Sequence, residues 1–190
     1  MTDEASPVRQ TPAGLRPTTP SWATATPERV AELAGRWASE LDVPETERRR
    51  WLRAVWLHDA LRDAPPEELE KWAPTSPGPP AIRHGPASAA RAKADGETDR
   101  GVLDAVRYHS MGLAEWDMVG RVLYCADFLE PGRNFDKSGR AELAARFPRD
   151  PTGVLREVAR ARVSRLVQSG WPLPDPTVRF WNSLFSRAAS

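Results

Sequence analysis

Three histidines occur in this chain, His58, His84 and His109, and the first is followed at once by an aspartate in the run Trp56-Leu57-His58-Asp59-Ala60-Leu61-Arg62. An imidazole or a carboxylate is costly to place against an apolar surface unless it is hydrogen-bonded, ion-paired or bound to a metal. Asp127 poses the same problem within Leu123-Tyr124-Cys125-Ala126-Asp127-Phe128-Leu129, where a carboxylate needs a cation, several donors or a metal. Taken singly these are modest signals. A lone histidine on an apolar helix face is most often a hydrogen-bonded core residue, His84 before Gly85-Pro86 reads equally well as a surface residue, and His-Asp pairs arise by chance. Their distribution says more, because the gaps put each candidate on a different helix, as a metal site in a helical bundle requires. Three imidazoles and two carboxylates suit iron, manganese, cobalt or zinc better than magnesium or calcium.

The elements that must position these groups are helical. Thr26 and Pro27 suit an N-cap and a first helical position, and Val30, Leu33, Ala34, Trp37 and Leu41 follow at helical spacing. A second helix is predicted from about Pro44 to about Asp63, which sets His58 mid-helix among Trp51, Leu52, Val55, Leu57 and Leu61. The Pro-rich stretch from Ala64 to Pro80 reads as a long loop with a short helix near Glu67 to Trp72, longer than a connection needs. Pro86 opens a helix that His84 heads, and Asp99 to His109 forms another, with Gly112 at its C-terminal cap. Trp116 to Glu130 reads as a buried helix with Asp127 beside its apolar stripe. Helices at Asp136 to Phe147 and Thr152 to Gln168 lead to a last one at Asp175-Pro176, carrying Val178, Trp181, Leu184 and Phe185. No alternating run suggests a sheet, so the expected fold is all-α. Residues 1–25, rich in Pro, Ser and Thr, read as a disordered tail, with one domain over 26–190.

The totals exclude several classes. With 27 Lys and Arg against 26 Asp and Glu the formal net charge is +1, short of the basic excess that broad nucleic-acid binding needs. A single cysteine, Cys125, excludes an internal disulfide and a cysteine zinc site, and reads as a packed core thiol. No apolar stretch reaches 18 residues, and the N-terminus lacks a signal-peptide layout, so a cytoplasmic protein with no membrane partner is expected. Trp37, Trp51 and Trp181 fit apolar stripes, whereas Trp72 and Trp116 flank loops and are placed to stack on a base.

Read together, the His-Asp pair, His84-Gly85-Pro86, Arg107-Tyr108-His109-Ser110-Met111-Gly112 and the run from Leu123 to Arg133 ending Glu130-Pro131-Gly132-Arg133 resemble the HD-domain metal-dependent phosphohydrolases, and within them the YqeK type. The resemblance spans roughly Pro27 to Val167. It implies an HD-domain helical bundle and a dinuclear, iron-type site (manganese or cobalt being alternatives) that cleaves diadenosine tetraphosphate symmetrically into two ADP. Asp59 would bridge two ions, with His58 and Asp127 on the first and His84 and His109 on the second. Arg62 would reach a substrate phosphate. Arg133 is a further phosphate-binding candidate, or else a salt-bridge partner of Glu130. A homodimer is compatible with the pattern.

The match departs from the family at one point. Such proteins carry a further histidine on the first helix, four residues before a Val-Ala-Glu-like run, and here Val30-Ala31-Glu32 puts Thr26 at that place. No histidine lies upstream of His58. The first ion would keep only His58, Asp59 and Asp127. Three outcomes follow: a dinuclear enzyme with a labile first ion, a mononuclear enzyme, or a degenerate HD domain that binds nucleotide or a partner without turnover.

Overall fold

The structure, a computed structural model, describes residues 27–75 and 82–186. The expected tail and the cap at Thr26 lie outside the described residues. Among them there is no strand, and the all-α expectation holds: α1 (Pro27–Glu40), α2 (Glu45–Leu57), α3 (Pro66–Trp72), α4 (His84–Ala94), α5 (Arg100–Tyr108), α6 (Met118–Leu129), α7 (Lys137–Arg146), α8 (Pro151–Gln168) and α9 (Asp175–Phe185).

The bundle is built around α6. Its sequence MVGRVLYCADFL is apolar almost all round, which suits a helix enclosed by neighbours. It packs against α1, α2, α5, α7 and α8. Val119, Val122, Leu123, Tyr124, Cys125 and Ala126 are all buried. The neighbours turn narrower stripes toward it: Val30 and Trp37 from α1, Trp51 and Val55 from α2, Val102 and Val106 from α5. Trp37 lies flat on Phe147 with ring centroids 3.9 Å apart, and its indole N–H donates to Ala144 O at 2.9 Å, so α1 is tied to the end of α7 by packing and by one satisfied polar group.

Aspartates start four of the helices. Asp99, Asp117, Asp136 and Asp150 each accept a backbone N–H in the first turn of α5, α6, α7 and α8, from Val102, Val119, Gly139 and Gly153. Each cap is worth about 1 kcal/mol. Arg50 of α2 donates to Asp99 Oδ2 at 2.7 Å and Oδ1 at 3.0 Å, to Asp117 Oδ2 at 2.8 Å and to Glu47 at 2.8 Å. One guanidinium therefore fastens α2 to the capped ends of α5 and α6, and these three helices lead to His58, His109 and Asp127.

The last helix docks differently from its sequence pattern. Val178 is 39% exposed and Trp181 only partly buried, while Thr177 and Phe180 are the buried positions. Phe180 completes an aromatic cluster with Trp116 and Tyr124 at centroid distances of 5.3–5.5 Å. Trp116 is thus a core residue, closed to the base stacking that its place beside a loop left open. Gly112, at φ +89, closes α5 in the left-handed region and lies where a Cβ would run into the Phe180 ring. No described helix is long and apolar enough to cross a membrane.

Candidate metal centre

His58 is not mid-helix. Regular α2 stops at Leu57, and His58 is its C-cap, donating its N–H to Ala54 O at 3.0 Å. The chain then continues in tighter turns: Ala60 N–H to Leu57 O, Arg62 N–H to Asp59 O and Ala64 N–H to Leu61 O, at 3.1–3.2 Å. The N–H of Leu61, which an α-helix would spend on Leu57 O, goes instead to Ser88 Oγ of α4 at 3.1 Å. A tertiary hydrogen bond ends the helix early, which apolar spacing cannot disclose. His84 is the first residue of α4 and His109 the C-cap of α5, while Asp127 lies in the last turns of α6. Gly85 allows α4 to meet the end of α5 closely. A Cβ there would sit 3.0 Å from the carbonyl oxygens of Arg107 and Val106 and 3.1 Å from His109 Cε1.

All five candidate ligands are buried. Asp59 is the hub, and its two oxygens face different groups. Oδ1 lies 3.2 Å from His84 Nε2 and 3.6 Å from His109 Nε2, which are themselves 3.0 Å apart. Ligand atoms 2.0–2.2 Å from one ion at tetrahedral or octahedral angles stand about 2.8–3.6 Å apart, so this trio fits a single ion. Oδ2 lies 3.4 Å from His58 Nε2, which is 3.9 Å from Asp127 Oδ1. The imidazoles are oriented for the task. Val55 O is 2.6 Å from His58 Nδ1 and Val106 O is 2.7 Å from His109 Nδ1, so each carbonyl accepts a hydrogen bond from an Nδ1–H and leaves an Nε2 lone pair facing inward. Among the described residues, His58 Nε2 and Asp59 Oδ1 are buried without a hydrogen-bond partner. The first faces Asp59 Oδ2 and Asp127 Oδ1, the second the His84 and His109 rings, and orphaned acceptors so placed are costly in a core and are what a cation would satisfy.

The electrostatics agree. Burial drives His109 down to about 4, with His84 and His58 adding to the effect and Asp59 opposing it, so the imidazole is neutral at physiological pH. Burial alone would raise the Asp59 carboxyl, but the electrostatic influence of His58, with His109 and His84 beside it, holds it well below the ordinary value. Asp127 behaves alike: burial raises it, and Arg133 and Arg162 outweigh that. Anionic carboxylates and a neutral His109 imidazole are protonation states that metal binding needs.

Arg62 donates to Asp59 Oδ2 at 2.6 Å with its side chain 41% exposed. Arg133 bonds Asp127 Oδ1, donates through Nε to the Asp127 backbone oxygen at 2.8 Å, and lies 3.7 Å from Glu130 Oε1. Glu130 is fully buried and is held chiefly by Arg29 at 2.9 Å and by the Gly132 N–H at 2.7 Å. Sequence reasoning missed Arg162. From α8 it donates to Asp127 Oδ2 at 2.8 Å and Tyr124 O at 3.1 Å, and lies over the rings of Tyr124 and Phe128. Its only trace in the sequence is an arginine on a helix rich in arginines. Trp72 of α3 is a half-buried platform with Lys71 and Arg91 over its ring.

Comparison with known proteins gives a consistent picture. A family model described as HD domain matches residues 27–133, more than half of the chain. A symmetrical bis(5'-nucleosyl)-tetraphosphatase of Bacillus subtilis is 31% identical over 90 residues, covering 43% of this chain and 48% of that protein. A protein of the same name from Halalkalibacterium halodurans is 24% identical over 104 residues, 54% of each chain. The chain thus matches about half the length of these curated relatives. A crystal structure from Clostridium acetobutylicum, described as an HD superfamily hydrolase involved in NAD metabolism, superposes with a TM-score of 0.69 at 23% identity, over 85% of this chain and 88% of that one.

Proposed function

This chain belongs to the HD-domain family, and from that premise we propose that it is a metal-dependent phosphohydrolase of nucleotide phosphoanhydrides, cleaving diadenosine tetraphosphate symmetrically into two ADP. The observation that carries the reading is the Asp59 carboxylate, buried with one oxygen turned to the His84–His109 pair and the other to His58 and Asp127. The names of the two curated relatives support the substrate.

In this reading His84, His109 and Asp59 hold one divalent ion, and His58, Asp127 and the second Asp59 oxygen face a further cation position. Iron is our first choice, with manganese or cobalt as alternatives, since the donors are nitrogen and carboxylate oxygen. Bound divalent ions supply Lewis acidity that offsets phosphate charge and acidifies water. The chain's own groups do the rest. Val55 and Val106 carbonyls fix the tautomers of His58 and His109. Arg62, the most exposed of the three guanidiniums facing the carboxylates, is free to bind a phosphate oxygen while still donating to Asp59. Arg133, expected to bind phosphate or pair with Glu130, has its main partner in Asp127, so its phosphate role is secondary to holding that carboxylate. The domain in this proposal runs from residue 26 onward, with α7 to α9 as its C-terminal part.

The experiment is an anaerobic assay of protein loaded with iron, manganese or cobalt against diadenosine tetraphosphate and a panel of nucleoside mono- and triphosphates. ADP as sole product from the dinucleotide is the expected result, and Asp59→Ala should abolish both metal binding and turnover. Turnover surviving in Asp59→Ala would refute the assignment. A second reading, an HD domain that binds nucleotide without turnover, is favoured by Thr26, which stands where related proteins carry histidine. No hydrolysis of any nucleotide by folded, metal-loaded protein would select it.

A further inference from the structure

The two faces of Asp59 are not equivalent. At Oδ1 the neighbours are two imidazole nitrogens and no described cation. At Oδ2 and at both oxygens of Asp127 the neighbours include three guanidiniums: Arg62 on Asp59 Oδ2, Arg133 on Asp127 Oδ1 and Arg162 on Asp127 Oδ2. We propose that this chain holds one divalent ion tightly, between Asp59 Oδ1, His84 and His109, and that on the opposite face of Asp59 the guanidiniums of Arg62, Arg133 and Arg162 stand in for a second ion.

Charge and geometry both lead there. On the first face a dication meets one carboxylate and two imidazoles whose separations match the edges of a single coordination shell. On the second face the two carboxylates already meet three positive charges, and an added ion would have to displace them from the oxygens it needs or bind beside them. Two of the three cannot easily leave. Arg162 is anchored by the Tyr124 carbonyl at 3.1 Å and by the Tyr124 ring, whose centroid is 4.4 Å from its Cζ, and Arg133 by the Asp127 backbone oxygen at 2.8 Å. Glu130 lies 3.7 Å from Arg133 and eases the crowding of charge, but its other oxygen is taken by Arg29 and the Gly132 N–H. His58 Nε2 is then the one uncommitted ligand atom on that face, too few for a stable site. Arg162 also lies outside residues 27–133, so the C-terminal part of the chain helps set the stoichiometry of a centre otherwise built within the family match.

The proposal rests only on the metal-binding part of the function proposed above, and its test uses no substrate. Full-length apoprotein is titrated with manganese, the free ion being read by electron paramagnetic resonance and the bound ion by elemental analysis after desalting. The wild type is expected to retain one ion per chain, with any second ion about 100-fold weaker or more. His109→Ala should lose the tight ion, while Asp127→Asn should leave its affinity within about threefold. Arg162→Met should strengthen the second ion about tenfold and bring in the line broadening of a coupled manganese pair. If Arg162→Met does not fold, Arg133→Gln is read in its place. Two ions of similar affinity in the wild type, loss of the tight ion in Asp127→Asn, or an unchanged second ion in the folded arginine variant would each overturn the proposal. One tight ion with no hydrolysis of any nucleotide would uphold it and sink the proposed function instead.

Discussion

Replacing Arg50 with methionine should weaken the protein in a way that depends on pH. The Arg50 side chain is 28% exposed and spans Glu47, Asp99 and Asp117, gripping Asp99 through two nitrogens. Chiefly through that bidentate contact, the Asp99 carboxyl is lowered from 3.8 to about 2. A shift of that size corresponds to about 2.4 kcal/mol, of which about 1–1.5 kcal/mol survives solvent screening of a partly exposed pair. The contacts to Glu47 and Asp117 add about 0.5 kcal/mol more, for a total near 2 kcal/mol, or about 4–8 °C in Tm for a domain of this size. Because the folded-state value is depressed, the Asp99 contribution is complete above the unfolded value near 4. It is about halved by pH 3 and nearly gone at pH 2. Urea denaturation of wild type and Arg50→Met at pH 7, 4.5 and 3 would measure this. The gap should be constant between the first two and clearly smaller at the third. A gap below about 0.5 kcal/mol at pH 7, or one undiminished at pH 3, would refute the claim that Arg50 fastens the three helices leading to His58, His109 and Asp127 through Asp99.

Three further outcomes are expected. Gly85→Ala should push the end of α5 and the His109 ring away from Asp59, weakening manganese binding about 10- to 100-fold with little loss of helicity, as titration with circular dichroism would show. Gly112→Ala puts a side chain both in the left-handed region and into Phe180, so it should cost more than about 2 kcal/mol and expose α9 to limited proteolysis before the rest of the chain. Burial pushes the Cys125 thiol up from its ordinary value and closes it to solvent, so a thiol reagent should label native protein far more slowly than protein in denaturant.

Local information in the chain was enough for the helices and for the candidate ligands. Apolar spacing marked the buried stripes of α1, α5 and α6. Proline, aspartate and glycine marked most helix ends, because caps and turns are chosen by neighbouring residues. The polar residues set in apolar runs, His58, Asp59, His109 and Asp127, stood out because burying them is costly without a partner. What stayed hidden depends on residues distant in sequence. Ser88 ends α2 at Leu57 by taking the Leu61 N–H, Phe180 rather than Val178 fills the space beside Gly112, and Trp116 joins the core instead of a binding surface. Arg133 and Arg162 reach Asp127 from a loop and from α8, and no periodicity records which arginine of many will do so. The candidate ligands were legible because residue type fixes chemistry. The division of Asp59 between an imidazole face and a guanidinium face was decided by packing, which brings segments distant in sequence to one carboxylate and its neighbour.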